Sequence, residues 1–223
     1  MHQVTLQPSG RRYAVPSGKS ILDAGLEAGI ALPYSCRAAG CNSCRARITA
    51  GEIDHGVVFG TLSKEDQSRG YALMCRARPL SDIVVEVREL EGFEGISSRT
   101  LPCRVVSIER AAPDVALLQV RVPNAEGLRF LAGQYADFLT PDGSRRSFSI
   151  ANKPTHELAT GFEFHIRAVP GGGFTTRVFE SLKPRDILSM EAPLGGFHLR
   201  RDSAKPIVMV ASGTGFAPVG AMV

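Results

Sequence analysis

No apolar run in the 223-residue sequence approaches the length of a membrane-spanning helix. The opening residues, Met1-His-Gln-Val-Thr-Leu6, lack the apolar core of an export signal. The formal charge is +4, yet no basic tract of the nucleic-acid-binding kind is present. None of the five histidines lies near the cysteine-rich stretch, and there are only five cysteines in all. These absences predict a cytoplasmic chain, read as a monomer, with no membrane and no nucleic acid as partner. They also argue against a disulfide framework, which belongs to oxidising compartments.

Three of the five cysteines stand in Cys36-Arg-Ala-Ala-Gly-Cys41-Asn-Ser-Cys44, a C-x4-C-x2-C run, and Cys75 follows at a distance. Three thiols in one loop plus a remote fourth is the plant-type ligand pattern for a [2Fe–2S] cluster. The chemistry explains it, because each of two tetrahedral irons needs two thiolates beyond the bridging sulfides. The small residues Ala38, Ala39, Gly40 and Ser43 let the backbone approach and aim N–H groups at sulfur. Structural zinc usually takes two C-x2-C pairs or adds histidines, and a Rieske centre needs two histidine ligands. Neither set is available. Cys36, Cys41, Cys44 and Cys75 are therefore the expected metal ligands. Cys103 fits no ligand spacing and reads as a small hydrophobe in a strand.

Around this loop the pattern predicts strands at 2–7 and 11–15, a short helix from Ile21 that stops at Gly29, and a strand at 45–50. A helix start at 62–67 and a closing strand at 83–87 complete a unit over residues 1–90. Leu32-Pro-Tyr-Ser-Cys36-Arg37 together with the four cysteines resembles a plant-type ferredoxin domain. That resemblance implies an α+β β-grasp fold. The family often has Gly where this sequence has Ala39.

Residues 91–100 lack periodicity and read as a linker. Beyond it, strands at 103–108, 115–122 and 134–139, separated by turns such as Pro141-Asp-Gly143, suggest an antiparallel β-barrel over 101–202. Three further motifs follow: Arg146-Ser-Phe-Ser149, then Pro170-Gly-Gly-Gly-Phe-Thr-Thr176 before a helix, then Ile207-Val-Met-Val-Ala211 leading into Ser212-Gly-Thr-Gly-Phe-Ala-Pro218. Each has an ordinary reading alone: a solvated strand charge, a turn, a β–α connection. Their order behind a ferredoxin-like unit is the informative feature.

That order resembles the ferredoxin–NADP reductase superfamily, in its oxygenase-reductase type, and within it the CDP-6-deoxy-Δ3,4-glucoseen reductase-like group. The resemblance implies a flavo-iron–sulfur oxidoreductase with a [2Fe–2S] cluster and FAD, and NAD(P)H as electron donor. It implies an electron-accepting partner protein, an oxygenase component or a deoxysugar dehydratase. Arg146 would then pair with the flavin pyrophosphate. Ser147 belongs to the same strand motif. Phe148 would pack on the flavin and Ser149 would bond near its redox-active edge, so these two are the catalytic candidates. Gly172, Gly173, Phe174 and Thr175 would cradle phosphate at a helix N-terminus, and His165 and Arg167 would line the channel. Gly213, Thr214 and Gly215 would form the nicotinamide-side loop. The cluster and flavin would together bring about four negative charges, offsetting the basic balance.

By the same resemblance, residues 203–223 hold only the first β-strand and loop of an α/β nicotinamide-binding domain, and the chain is expected to be C-terminally truncated. Two other functions fit the same motifs: a non-enzymatic electron carrier, and a free-flavin or ferric reductase.

Overall fold

The computed structural model describes residues 1–155, 158–200 and 204–223. The chain divides into two compact units, Met1–Glu94 and Gly95–Val223. The boundary read between residues 202 and 203 lies outside the described residues.

In the first unit, strands β1 (His2–Gln7) and β2 (Arg12–Val15) form a hairpin, and α1 (Ile21–Glu27) follows. Then come β3 (Arg45–Ala50), β4 (Ile53–Asp54), α2 (Lys64–Ser68), β5 (Tyr71–Leu73), β6 (Arg78–Pro79) and β7 (Ile83–Glu86). The main sheet has the order β2-β1-β7-β3-β5. β1 and β7 run parallel, with Val4 opposite Ile83, and the other pairs are antiparallel. α1 buries Ile21, Leu22, Ala24 and Gly25. A Cβ on Gly25 would come within 2.5 Å of Leu32 Cδ1, so the helix lies close over the core. This is the grasp arrangement the sequence predicts. β5 and the β4–β6 pair are additions that periodicity does not reveal, being two or three residues long.

The second unit opens with a long hairpin, β8 (Arg99–Ala112) and β9 (Val115–Arg121). β8 thus begins inside the segment read as a linker. β10 (Tyr135–Leu139), β11 (Arg145–Ser149), β12 (Gly161–Arg167), α3 (Gly173–Glu180) and β13 (Ile187–Leu194) follow, with α4 (Phe216–Met222) last. The strands make one antiparallel sheet in the order β11-β10-β13-β8-β9-β12. Among the described residues its two edges meet at the bridge from Ile150 to Phe164, beside which Ala151 N donates to Glu163 O at 2.8 Å. Phe138, Phe164, Leu118, Ile150, Ile166 and Met190 fill the inside, each below 2% exposure.

The strand expected at 207–211 does not form. Val208 and Val210 are 87% and 86% exposed, and no strand among the described residues pairs with this segment. An apolar run becomes a buried parallel strand only with a ladder on each side, and here the ladder is missing. Among the described residues no helix is long and apolar enough to cross a membrane.

Candidate functional site

Each unit carries one site, built from its own elements. In the first unit, the cysteine loop is held by α1. The helix has a side-chain N-cap, Ser20, whose Oγ accepts from Asp23 N at 3.0 Å. Its first N–H groups bond to the chain around Cys75: Ile21 N donates to Ala77 O and Leu22 N to Met74 O, both at 2.9 Å. Asp23 in turn accepts from Arg37 Nη2 at 2.6 Å, just after Cys36. One helix terminus therefore fixes both the loop with three cysteines and the turn with the fourth. Met74 N also donates to Cys44 O at 3.0 Å, tying the last two ligand segments together.

The loop's backbone turns inward on sulfur. Ala38 N and Gly40 N lie 3.4 and 3.3 Å from Cys36 Sγ, and Cys36 N lies 3.4 Å from Cys41 Sγ. Arg37, Ala39 and Asn42 all have positive φ, of 51°, 59° and 60°. This left-handed winding lets successive N–H groups point to one side. Thr61 Oγ1 donates to Ala39 O and pins the loop from outside.

The four thiols influence one another: Cys36 acts on Cys41, and Cys44 and Cys75 act on each other. Burial works to raise the Cys41 thiol, but hydrogen bonds from Ser43 and Cys36 outweigh it and hold it at about 7. The Cys75 thiol is drawn down to about 6, first by the hydrogen bond from Cys44, against burial, with help from the Ala39 backbone and the Arg76 charge. Cys44 is pushed up in consequence, as the donor of that bond and by its burial. All five thiols are free. Among the described residues no three ligating side chains surround a point where a single ion would sit. Three thiols on one loop with N–H groups aimed at sulfur, and a fourth on the turn bonded to that loop, are instead what two irons ask for, so the residues fit a [2Fe–2S] cluster. Cys103 lies in the other unit, in β8, 1% exposed, and burial pushes its thiol up to about 12.

Of the arginines near the ligands, Arg37 pairs with Asp23, and Arg45 pairs with Asp66 at 2.6 Å while its guanidinium stacks 4.0 Å from the Tyr71 ring. Part of the positive charge around the loop is therefore neutralised within the chain.

In the second unit, β11 and the N-terminus of α3 are brought together by aromatic packing. Phe174 of α3 stacks on Phe138 at 5.1 Å and meets Phe148 of β11 at 5.5 Å. Phe148 is half-buried and Arg146 exposed, on the same face of β11, opposite Ala136 and Phe138. Arg146 Nη1 donates to the neighbouring Arg145 carbonyl at 2.8 Å. The N-cap of α3 is Gly172, without a side-chain cap. A Cβ there would lie 2.6 Å from Thr175 Oγ1. The initial N–H groups of an uncapped helix await an acceptor. An exposed guanidinium, an uncapped helix terminus and a half-buried aromatic ring thus fit a dinucleotide with a pyrophosphate and a flat ring.

The remaining candidates take other places. Thr175 is buried, and its Oγ1 accepts from Val169 N and donates to Gly172 O, both at 3.2 Å, so it holds the glycine loop in shape. Gly173 opens the helix with free space around it. Ser147 Oγ donates to Asp137 Oδ1 at 2.5 Å, on the opposite face from Arg146. Ser149 shares that face, opposite Tyr135. His165 and Arg167 alternate with the buried Phe164 and Ile166; His165 Nε2 is 3.2 Å from Glu163 Oε1 and Arg167 Nε donates to Asp114 at 2.8 Å. Gly213, Thr214 and Gly215 form a 3₁₀ turn before α4. Sequence reasoning missed Arg145, Asp137 and Glu191, which join across three strands; only the register makes them neighbours.

A unit with three thiols on one loop and a fourth on the adjoining turn, followed by a barrel with a phosphate-type helix terminus, defines an iron–sulfur flavoprotein. Comparison with known proteins agrees. Residues 4–80 match the 2Fe-2S iron-sulfur cluster binding domain family, and residues 102–199 match the oxidoreductase FAD-binding domain family. The chain is 40% identical over 220 residues to the CDP-6-deoxy-L-threo-D-glycero-4-hexulose-3-dehydrase reductase of Yersinia pseudotuberculosis, covering 99% of this chain and 65% of that protein. It is 38% identical to the terephthalate 1,2-dioxygenase reductase component 2 of a Comamonas species, covering 98% and 64%. Among solved structures, the Amycolatopsis cytochrome P450 reductase GcoB matches with a TM-score of 0.81 and 33% identity, over 100% of this chain and 67% of that one. The chain belongs to the ferredoxin–NADP reductase superfamily, in the branch that joins a [2Fe–2S] ferredoxin domain to an FAD-binding barrel. It spans a little under two thirds of the length of the curated relatives it matches.

Proposed function

We propose that this chain carries the two redox centres of a reductase that takes electrons from NAD(P)H and delivers them, through FAD and then a [2Fe–2S] cluster, to a protein partner. The partner would be an oxygenase component or a deoxysugar dehydratase, the kinds of system its relatives' names describe. A cytoplasmic setting follows from the need to keep four ligand thiolates reduced. The observation that carries the reading is a cysteine loop whose N–H groups turn onto Cys36 and Cys41 Sγ and whose Cys44 carbonyl is bonded by Met74 N, next to Cys75.

When bound, the flavin exchanges electrons in pairs and the cluster singly, which lets one assembly couple a hydride donor to a one-electron acceptor. The protein's own residues place these groups. The four thiolates hold the irons, and the N–H groups of Ala38 and Gly40 donate to sulfur and tune its charge. Arg146 and the N-terminus of α3, from Gly172 through Thr175, neutralise the pyrophosphate. Phe148 offers its ring to the flavin, Ser149 offers a hydroxyl to the redox-active edge, and His165 and Arg167 border the channel. The turn at Gly213–Gly215 admits the nicotinamide side, where side chains are absent or small.

The test is reconstitution with iron and sulfide, followed by visible absorption and EPR after reduction. Cys75→Ser should lose the reduced-cluster EPR signal, whereas Cys103→Ser should retain it. A normal cluster in Cys75→Ser, or none in Cys103→Ser, would overturn the ligand assignment.

A further inference from the structure

A line of charge crosses the sheet behind the strand that carries Arg146 and Phe148. Ser147 stands opposite Asp137 across β11–β10, and Asp137 opposite Glu191 across β10–β13. Two carboxylates facing each other across a ladder repel, and these two have side chains only 9% and 15% exposed. Arg145 answers both. Its Nη1 contacts Glu191 Oε2 and lies 3.6 Å from Asp137 Oδ2. The Glu191 hydrogen bond, with the charges of both acids, holds this guanidinium firmly protonated. The group therefore joins two largely buried carboxylates to one half-exposed guanidinium.

Ser149 lies on the same face, four residues beyond Arg145, or about 13 Å along a strand, and Glu191 is two strands away from it. A fixed charge at that distance acts on any redox group beside Ser149. Flavin reduction by two electrons and one proton adds one negative charge, so nearby anions oppose it and nearby cations favour it. We propose that Asp137, Glu191 and Arg145 set the reduction potential of the bound flavin, the two acids lowering it and the arginine raising it. The inference rests on the reading above that places the flavin's redox-active edge at Ser149. Were the three residues only a brace between strands, removing either end of the Arg145–Glu191 pair would loosen the same contact, and the two losses would act in the same direction.

The measurement is the flavin's potential in the FAD-loaded chain, equilibrated with a reference dye, for Glu191→Gln, Arg145→Gln and the double variant. At fixed potential, the reduced-to-oxidised flavin ratio should rise about threefold in Glu191→Gln and fall about threefold in Arg145→Gln, the effect of a unit charge about 13 Å away at an effective dielectric constant of about 40, between water and the protein surface. The double variant should return towards the parent. Should Arg145→Gln not fold, Arg145→Lys takes its place: it keeps the charge while changing the contact, so the potential must stay near the parent's, whereas a brace would let it move. Ser149→Ala is the placement control. Shifts of one sign for the acid and the arginine, or unmoved potentials while Ser149→Ala perturbs the flavin spectrum, would overturn the proposal alone. An unperturbed flavin in Ser149→Ala as well would remove the placement and the proposal together.

Discussion

Ala39 shows what the cluster loop asks of a single residue. It is 1% exposed and has a φ of 59°. A left-handed Ala costs about 1–2 kcal/mol, but a Gly there would lose a buried methyl, about 0.8 kcal/mol, and gain freedom when unfolded. These terms nearly cancel, so Ala39→Gly should stay within about 1 kcal/mol of the parent in urea unfolding. Ala39→Val places a β-branched residue at positive φ and should lose about 1–3 kcal/mol together with cluster absorbance. A Val variant as stable as the parent would show that the loop does not need this winding. The four candidate ligands could be picked out from spacing alone, because two irons call for four thiolates. How they are brought together could not, since it depends on how the turn at Cys75 meets the loop. The Asp137–Arg145–Glu191 group was equally hidden, its members being 8 to 54 positions apart in the chain and neighbours only through register.

At the scale of elements, α1 is the part on which the iron–sulfur site depends, because its N-terminus bonds to the carbonyls of Met74 and Ala77 and, through Asp23, to Arg37. Ser20→Ala removes the N-cap and should cost about 1 kcal/mol. It should also hasten loss of iron to a chelator while leaving FAD binding by the second unit unchanged. Equal chelation rates in parent and variant would mean that the helix terminus does not hold the ligands. α1, β1, β3 and β7 were readable from their apolar periods and stops. β5, β6 and β4 were too short to carry a period, and β13 was passed over although it lies at the centre of the barrel sheet. Ile207–Ala211 misled in the other direction: its composition is that of a buried strand, but a strand is defined by its partners, and none among the described residues pairs with it.

The whole chain combines two compact units, each with its own core and its own cofactor chemistry. Together the two units are expected to hold one [2Fe–2S] cluster and one FAD per chain. The direct measurement is an anaerobic titration of the reconstituted chain with dithionite, followed by visible absorption and EPR. A flavin takes two electrons and a cluster one, so the parent should accept about three electrons per chain. Cys75→Ser should accept about two. Arg146→Ala, which leaves the pyrophosphate without a charge-assisted bond worth about 1.5–3 kcal/mol, should accept about one after gel filtration has removed loosely held flavin. A parent chain that takes up only one or two electrons after full reconstitution would contradict the account.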